Sequence, residues 1–365
     1  MEDIAKIFCN LVSIPSPSGS ELKTSKYIKK YLERIGLKPY FDNTGKYNQS
    51  NSGNLIVRIR GNGKRLLFVA HMDTVEDGSR RIKPVVDGNV IRSDGNTVLG
   101  ADNKAGVAAL LCALKLASKK KNRNNIIAVF STREEKGVMG VEYLKLKNEV
   151  DFGFIIDGSN VPGGFVDKTI GYLLFSIDIY GKAAHAAVDP EKGVNAVKVA
   201  GEILSELKIG RDRYGNTMNI GTIFGGQQVN IVPDHVVMNG EIRSYVEKQM
   251  HEKFAETEKI VKKICKKHKA KYRLGIDKKE LMAPFVSRNK KMIDYAKIAA
   301  EKAGVEFSIS TMSGTTEANV LAAKGYDLLG ISRGGNMPHS KKESIKIEDM
   351  KTLSLMLSAL MDTSD

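Results

Sequence analysis

Three apolar runs in this chain each stop at a residue able to ligate a metal or move a proton. Val69-Ala70 leads into His71-Met72-Asp73, Phe130-Ser131-Thr132-Arg133 into Glu134-Glu135, and Ile155-Ile156 into Asp157. The runs themselves, 65–70, 125–131 and 152–156, show too little alternation for a half-exposed sheet. They read as strands covered on both faces, the habit of parallel sheets whose crossovers are helices. An apolar stretch at about 103–118 supplies such a crossover, and 54–59 (Asn-Leu-Ile-Val-Arg-Ile) adds a further strand. Ligands of open α/β sheets bind beyond the carboxyl ends of the strands, so these polar residues can converge although they are distant in sequence.

From about 168 the pattern changes. Strand 170–180, helix 193–207, strands 217–224 and 235–244, helix 246–268 and strand 271–276 follow in the order βαββαβ, the ferredoxin-like arrangement. In the second of these helices Val246, Met250, Phe254, Val261, Ile264 and His268 recur at helical spacing opposite a lysine-rich face. A helix at about 289–303, strands near 306–310 and 327–331, and a helix at 346–361 then return to the α/β style. The expected fold class is α/β, a mixed sheet with helices on both faces, in residues 1–167 plus 279–365. An α+β domain, residues 168–278, is inserted into it.

Bulk properties narrow the partners. The 365 residues, 42% of them apolar, can bury large cores without disulfide staples. A formal charge of +15 suits nucleic acid, anionic lipid or acidic small molecules. The densest basic segment (Lys259, Lys262, Lys263, Lys266, Lys267, Lys269, Lys271, Arg273) lacks the interleaved aromatics on which single strands stack. It reads as a solvated face, and no nucleic acid is expected as partner. No apolar run approaches the ~20 residues of a membrane-spanning helix, so no membrane is expected either. Cys9, Cys112 and Cys265 are widely spaced and suit core thiols of a reducing compartment. The Met1-Glu2-Asp3-Ile4 start lacks the basic and apolar regions of a signal peptide, and the expected location is cytoplasmic.

Two further segments extend the polar set. Gly100-Ala101-Asp102-Asn103-Lys104-Ala105-Gly106 places a carboxylate where the long helix begins, and Met337-Pro338-His339-Ser340 supplies a second imidazole. Taken singly, His71 or His339 reads as a packed histidine, Asp157-Gly158 as a turn and Glu134-Glu135 as a helix start. Together, two histidines and several carboxylates exceed what one tetrahedral zinc needs and suit a pair of borderline divalent ions. Asp73, two residues beyond His71 in extended chain, returns to the same side and can hydrogen-bond the imidazole nitrogen that faces away from a metal. Of Glu134 and Glu135, one can bind metal while the other accepts a proton from a polarised water.

This constellation resembles the cocatalytic dinuclear metallopeptidases of the peptidase T, carboxypeptidase G and acylase type. The resemblance covers nearly the whole chain. It rests on His71-Met72-Asp73-Thr74-Val75, Gly100-Ala101-Asp102-Asn103, Glu134-Glu135-Lys136-Gly137, Asp157-Gly158, Gly181-Lys182-Ala183-Ala184-His185 and His339, all in the family's order. It implies a zinc-exopeptidase-like catalytic domain and an inserted lid that also makes a homodimer. It implies two divalent ions, zinc first with cobalt or manganese as alternatives. One ion would take His71 and Asp157, the other Glu135 and His339, with Asp102 bridging and followed by a cis peptide. Glu134, as base and acid, and Asp73, as the orienter of His71, are the expected catalytic pair. His185, Asn230 and Arg243 of the lid, with Gly314 in Ser313-Gly314-Thr315-Thr316-Glu317-Ala318-Asn319, fall where the family contacts substrate; Glu317 stands where that loop has Asp. The expected activity is removal of the N-terminal residue from short peptides such as tripeptides, with Arg243 clamping the substrate's free carboxylate. Asp rather than Glu at position 157 goes with the aminopeptidase branch. The alternatives are a carboxypeptidase or N-acyl amino acid hydrolase of the same family and, from another class, a non-catalytic peptide- or metal-binding protein.

Overall fold

The computed structural model describes residues 4–76, 78–287 and 289–362, with the main chain only at 277–280, so the Met1-Glu2-Asp3 start lies outside the described residues. The chain divides into two compact units, one of Met1–Thr169, Val286–Met312 and Thr316–Asp365, the other of Ile170–Phe285 and Ser313–Thr315.

In the first unit the three anticipated strands form adjacent parallel neighbours and gain a fourth. The sheet order runs Leu55–Ile59, Asn125–Ser131, Arg65–His71, Phe152–Gly158, Leu328–Ser332, Gly164–Thr169. The four from Asn125–Ser131 to Leu328–Ser332 are mutually parallel, and their flanking partners are antiparallel. Both faces are covered, as the continuous apolar runs require. Leu66, Phe68 and Ala70 join a core with the helices Ile4–Val12, Leu22–Arg34, Ala101–Ser118, Lys290–Lys302 and Ile347–Met361, while Leu67, Val69, Ile127 and Val129 on the other face are equally buried. Phe68 and Phe154, paired across neighbouring strands, stack with centroids 5.4 Å apart, a contact worth about 0.5–1.5 kcal/mol beyond its area. The crossover helix Ala101–Ser118 is buried almost all round, which explains its lack of a polar face. The helices at the N-terminus, the hairpin Pro84–Asp87 with Val90–Ser93 and the strand Gly164–Thr169 were not anticipated. The strand expected near 306–310 lies at Ser308–Met312, parallel to Gly164–Thr169.

The second unit has the sheet order Gly210–Arg211, Thr217–Gly225, His235–Ser244, Gly171–Tyr180, Lys271–Met282, antiparallel throughout. Its helices Ala196–Glu206 and Glu247–His268 share one core with the sheet, giving the ferredoxin-like arrangement. In the longer helix the buried positions are Met250, Thr257, Val261, Ile264 and Cys265. Val246 is instead the exposed residue preceding the helix, and His268 pairs with Glu202 at 2.6 Å, so these two leave the apolar face. Lys263 and Lys267 on the opposite face pair with Glu206 and Glu202. Among the described residues no disulfide joins Cys9, Cys112 and Cys265, and no helix is long and apolar enough to cross a membrane.

Candidate metal and catalytic centre

The four parallel strands deliver their polar ends to one place. His71 is the last residue of its strand and is level with Ser131, three residues before Glu134. Asp157 sits where the register with Leu328–Ser332 slips, Ile331 facing Ile156 and Ser332 facing Gly158. It is therefore the extra residue of a bulge, a device that re-aims a side chain out of the ladder. Asp102 precedes the regular part of its helix: Asp102 and Asn103 have non-helical angles and the bond between them is cis. His339 is half exposed on a loop and has φ of 61°, a backbone setting uncommon outside glycine.

The side chains meet in two groups sharing Asp102. His71 Nε2 lies 3.2 Å from Asp102 Oδ1 and 3.6 Å from Asp157 Oδ1. His339 Nε2 lies 3.4 Å from Asp102 Oδ2 and 3.1 Å from Glu135 Oε2. Candidate ligand atoms of His71, Asp102 and Asp157, of Asp102, Glu135 and His339, and of His71, Glu134 and Glu135 fall within 4.8 Å of one another. Glu135 Oε1 is buried without a hydrogen-bond partner among the described residues. A buried carboxylate oxygen left over beside imidazole and further carboxylates is the donor set a divalent cation fits.

Asp73 does more than expected. Its main-chain carbonyl is the hydrogen-bond partner of His71 Nδ1 at 3.1 Å with its carboxylate 3.4 Å from the same nitrogen, and that carboxylate accepts the amides of Glu134 and Glu135, each at 3.1 Å, and the Ser18 hydroxyl. It thus sets both the imidazole and the turn bearing the two glutamates. Burial works against its ionisation, yet His71, Ser18 and the Glu134 amide hold it below the ordinary carboxylate range. Glu134 goes the other way: burial, with Asp157, Glu135 and Asp73 nearby, raises it well above the usual range against the pull of His71. Asp157 is pushed up to about 6 by burial and by Asp102.

Three further residues complete the centre, Glu343 and Arg333 outside any motif and Glu317 at the position where the resembled loop has Asp. Glu343, four positions after His339 and 1% exposed, accepts the amides of Leu99, Gly100 and Asp102 at 2.9, 2.7 and 2.9 Å and so fixes the loop carrying Asp102. Arg333, directly after the fourth parallel strand, places Nη2 2.8 Å from Asp102 Oδ2. The strand-end rule that picked out His71 and Asp157 applies equally to it. Glu317 is buried with neither carboxyl oxygen hydrogen-bonded among the described residues. Burial raises it to about 8, reinforced by Asp157 and Asp73 and opposed by His71 and by the Ser131 hydroxyl, which falls short of a hydrogen bond.

The second unit holds the other expected residues. His185 bridges Ile231 and takes the Ala187 amide on Nδ1, and the Asn230 carbonyl accepts the Ala186 amide, so His185 and Asn230 are neighbours on exposed chain. Arg243 is engaged: Nε and Nη2 fork onto the two oxygens of Glu241, both at 3.1 Å, with the guanidinium over Tyr172. Gly314 belongs to the same unit, in the segment Ser313–Thr315.

Likeness to known proteins agrees with this geometry. The model of the peptidase dimerisation domain matches residues 168–272, and that of peptidase family M28 matches residues 54–188. Bacillus subtilis YqjE is 30% identical over 97% of this chain and 96% of its own. Peptidase T of Lactobacillus helveticus is 26% identical over 94% of this chain and 91% of its own. The crystal structure of aminopeptidase PepT from Bacillus cereus superposes with a TM-score of 0.91 at 29% identity, over 99% of this chain and 97% of that one. The chain belongs to the dinuclear metallopeptidases of peptidase T type. The crystal structure of a tripeptidase from Staphylococcus aureus is similar as well, 26% identical with a TM-score of 0.91 over 99% of this chain and 97% of that one. Within the family, the acid and histidine cluster described above is the candidate dinuclear centre.

Proposed function

We propose that this protein is a tripeptide aminopeptidase working with two divalent ions. The observation that carries the reading is the position of Glu134, 8% exposed, among two complete ligand groups that share Asp102. A protein that only bound metal or peptide would need no buried base there. We assign His71 and Asp157 to one ion, Glu135 and His339 to the other, and Asp102 to both. Two ions so held, zinc in the first instance, would supply Lewis-acid polarisation of a scissile carbonyl and a lowered pKa for water. Glu134 accepts the proton of the attacking water at its carboxylate and delivers it to the departing amine. Asp73 positions: through Nδ1 it leaves Nε2 of His71 turned to Asp102 and Asp157, and through two amides it orients Glu134 and Glu135. His185, Asn230, Arg243 and Gly314 are the groups we assign to substrate. The match to a dimerisation domain over 168–272 supports a homodimer formed through that unit, and three cysteines outside any disulfide suit a reducing compartment.

The test is the metal-free protein reloaded with Zn²⁺, Co²⁺ or Mn²⁺ and assayed on tripeptides blocked at either end. An aminopeptidase is stopped by N-acetylation and releases the first residue. Release of the last residue instead, or cleavage of N-acyl amino acids, would move the chain to the carboxypeptidase or acylase branch.

A further inference from the structure

Asp102 is shared unequally. Its Oδ1 faces His71, on the side of Asp157, while its Oδ2 faces His339, on the side of Glu135, and that second oxygen also carries the guanidinium of Arg333 at 2.8 Å. Arg333 is 1% exposed and held from elsewhere. Its amide donates to the Gly158 carbonyl at 2.7 Å and Nη1 donates to the Gly334 carbonyl at 3.0 Å. Gly335, at φ of 91°, leaves the space the group occupies, since a Cβ there would meet Nη1 at 2.9 Å. Nε is 3.9 Å from Asp157 Oδ1 and has no hydrogen-bond partner among the described residues, so Asp102 is the main anchor of the fork. A guanidinium keeps its charge at any pH the protein experiences.

We propose that Arg333 is a resident cation of the centre that makes its two halves inequivalent. An ion at the His71, Asp157 and Asp102 Oδ1 half meets an Asp102 oxygen that Arg333 does not hold, with the guanidinium 3.9 Å away at Asp157 Oδ1 rather than 2.8 Å, and binds first. An ion at the Glu135 and His339 half must share Oδ2 with Arg333 or take it over, against the repulsion of a buried positive charge, and binds second and more weakly. Arg333 is thereby a positioning residue that sets the concentration at which the protein passes from one ion to two. The inference rests on the dinuclear reading only in requiring two ions.

The experiment is a titration of the full-length metal-free protein with Co²⁺, followed by visible absorption and by competition with a chelator. The wild type takes up Co²⁺ in two resolved steps, and His339→Ala abolishes the second while leaving the first. Arg333→Met tightens the second step by roughly 10- to 100-fold, the range by which groups behind a ligand tune metal affinity, and leaves the first within about threefold. Should Arg333→Met fail to fold, Arg333→Gln, which removes the charge and keeps hydrogen-bond donors, takes its place with the same expected shift. Two ions entering with equal affinity, a first step lost in His339→Ala, or an unchanged second step in a folded Arg333→Met overturns the role of Arg333 while leaving the dinuclear reading intact. A chain that takes up no Co²⁺ refutes both.

Discussion

Glu134 is buried among the proposed ligands without being assigned to either ion, and that is the basis of the sharpest expectation for a single side chain. Glu134→Gln keeps the ligand groups and should retain metal, measured by elemental analysis, while kcat falls by about 100- to 10,000-fold. Near-normal turnover at full metal content would remove Glu134 from the mechanism. Glu317 makes a contribution with the opposite sign at neutral pH. Its pKa rises on folding from 4.5 to about 8, so the folded chain keeps a proton that the unfolded chain releases. The stabilisation is fully present below about pH 4.5 and is lost as pH climbs through about 8, at up to about 1.4 kcal/mol per pH unit. In metal-free protein, urea midpoints should fall over that window for the wild type and much less for Glu317→Gln; parallel slopes would contradict the assignment. His71, Asp157 and Glu134-Glu135 were legible because each ends an apolar run. Arg333 ends one too, but a guanidinium donates no lone pair to a metal, so it carries no ligand signature. Glu343 was illegible for a different reason: it acts on backbone amides of residues 99 to 102, which carry no side-chain signature.

Elements contribute by where they stop. The parallel strands were recoverable from apolar continuity, whereas the bulge that turns Asp157 out of the ladder arises from pairing with Leu328–Ser332, a partner distant in sequence. The loop before the crossover helix depends on Glu343. Glu343→Ala leaves three buried N–H groups without acceptors and should cost about 3 kcal/mol or more together with metal content, whereas Glu343→Gln keeps an oxygen for part of the set and should cost less. Chemical denaturation of both variants checks the order. On the strand His235–Ser244 the expected carboxylate clamp is already forked onto Glu241, which the spacing Glu241-Ile242-Arg243 hints at, since alternate residues share a face. If Arg243 reads the free carboxylate of a tripeptide, Glu241→Gln should raise kcat/KM for free tripeptides and leave amidated ones alone. Arg243→Met should lose about 2–5 kcal/mol on the free substrate only. Equal turnover of free and amidated tripeptides by the wild type would make the Arg243–Glu241 pair purely structural.

Each of the two units has a hydrophobic core of its own. All the proposed ligands lie in the first, so removing metal by chelation should lower the melting temperature of that unit and leave a separately expressed 170–285 fragment unaffected. Calorimetry with and without chelator, on both proteins, tests this. The insertion also orders events during synthesis. Ile170–Phe285 leaves the ribosome as one continuous stretch able to assemble, while the sheet it interrupts still waits for Leu328–Ser332, and the second imidazole arrives only with His339. Nascent chains arrested before position 328 should therefore hold a folded insert and no peptidase activity. An enzyme that digests short peptides is in this way kept inert until its fourth parallel strand and second imidazole have been made.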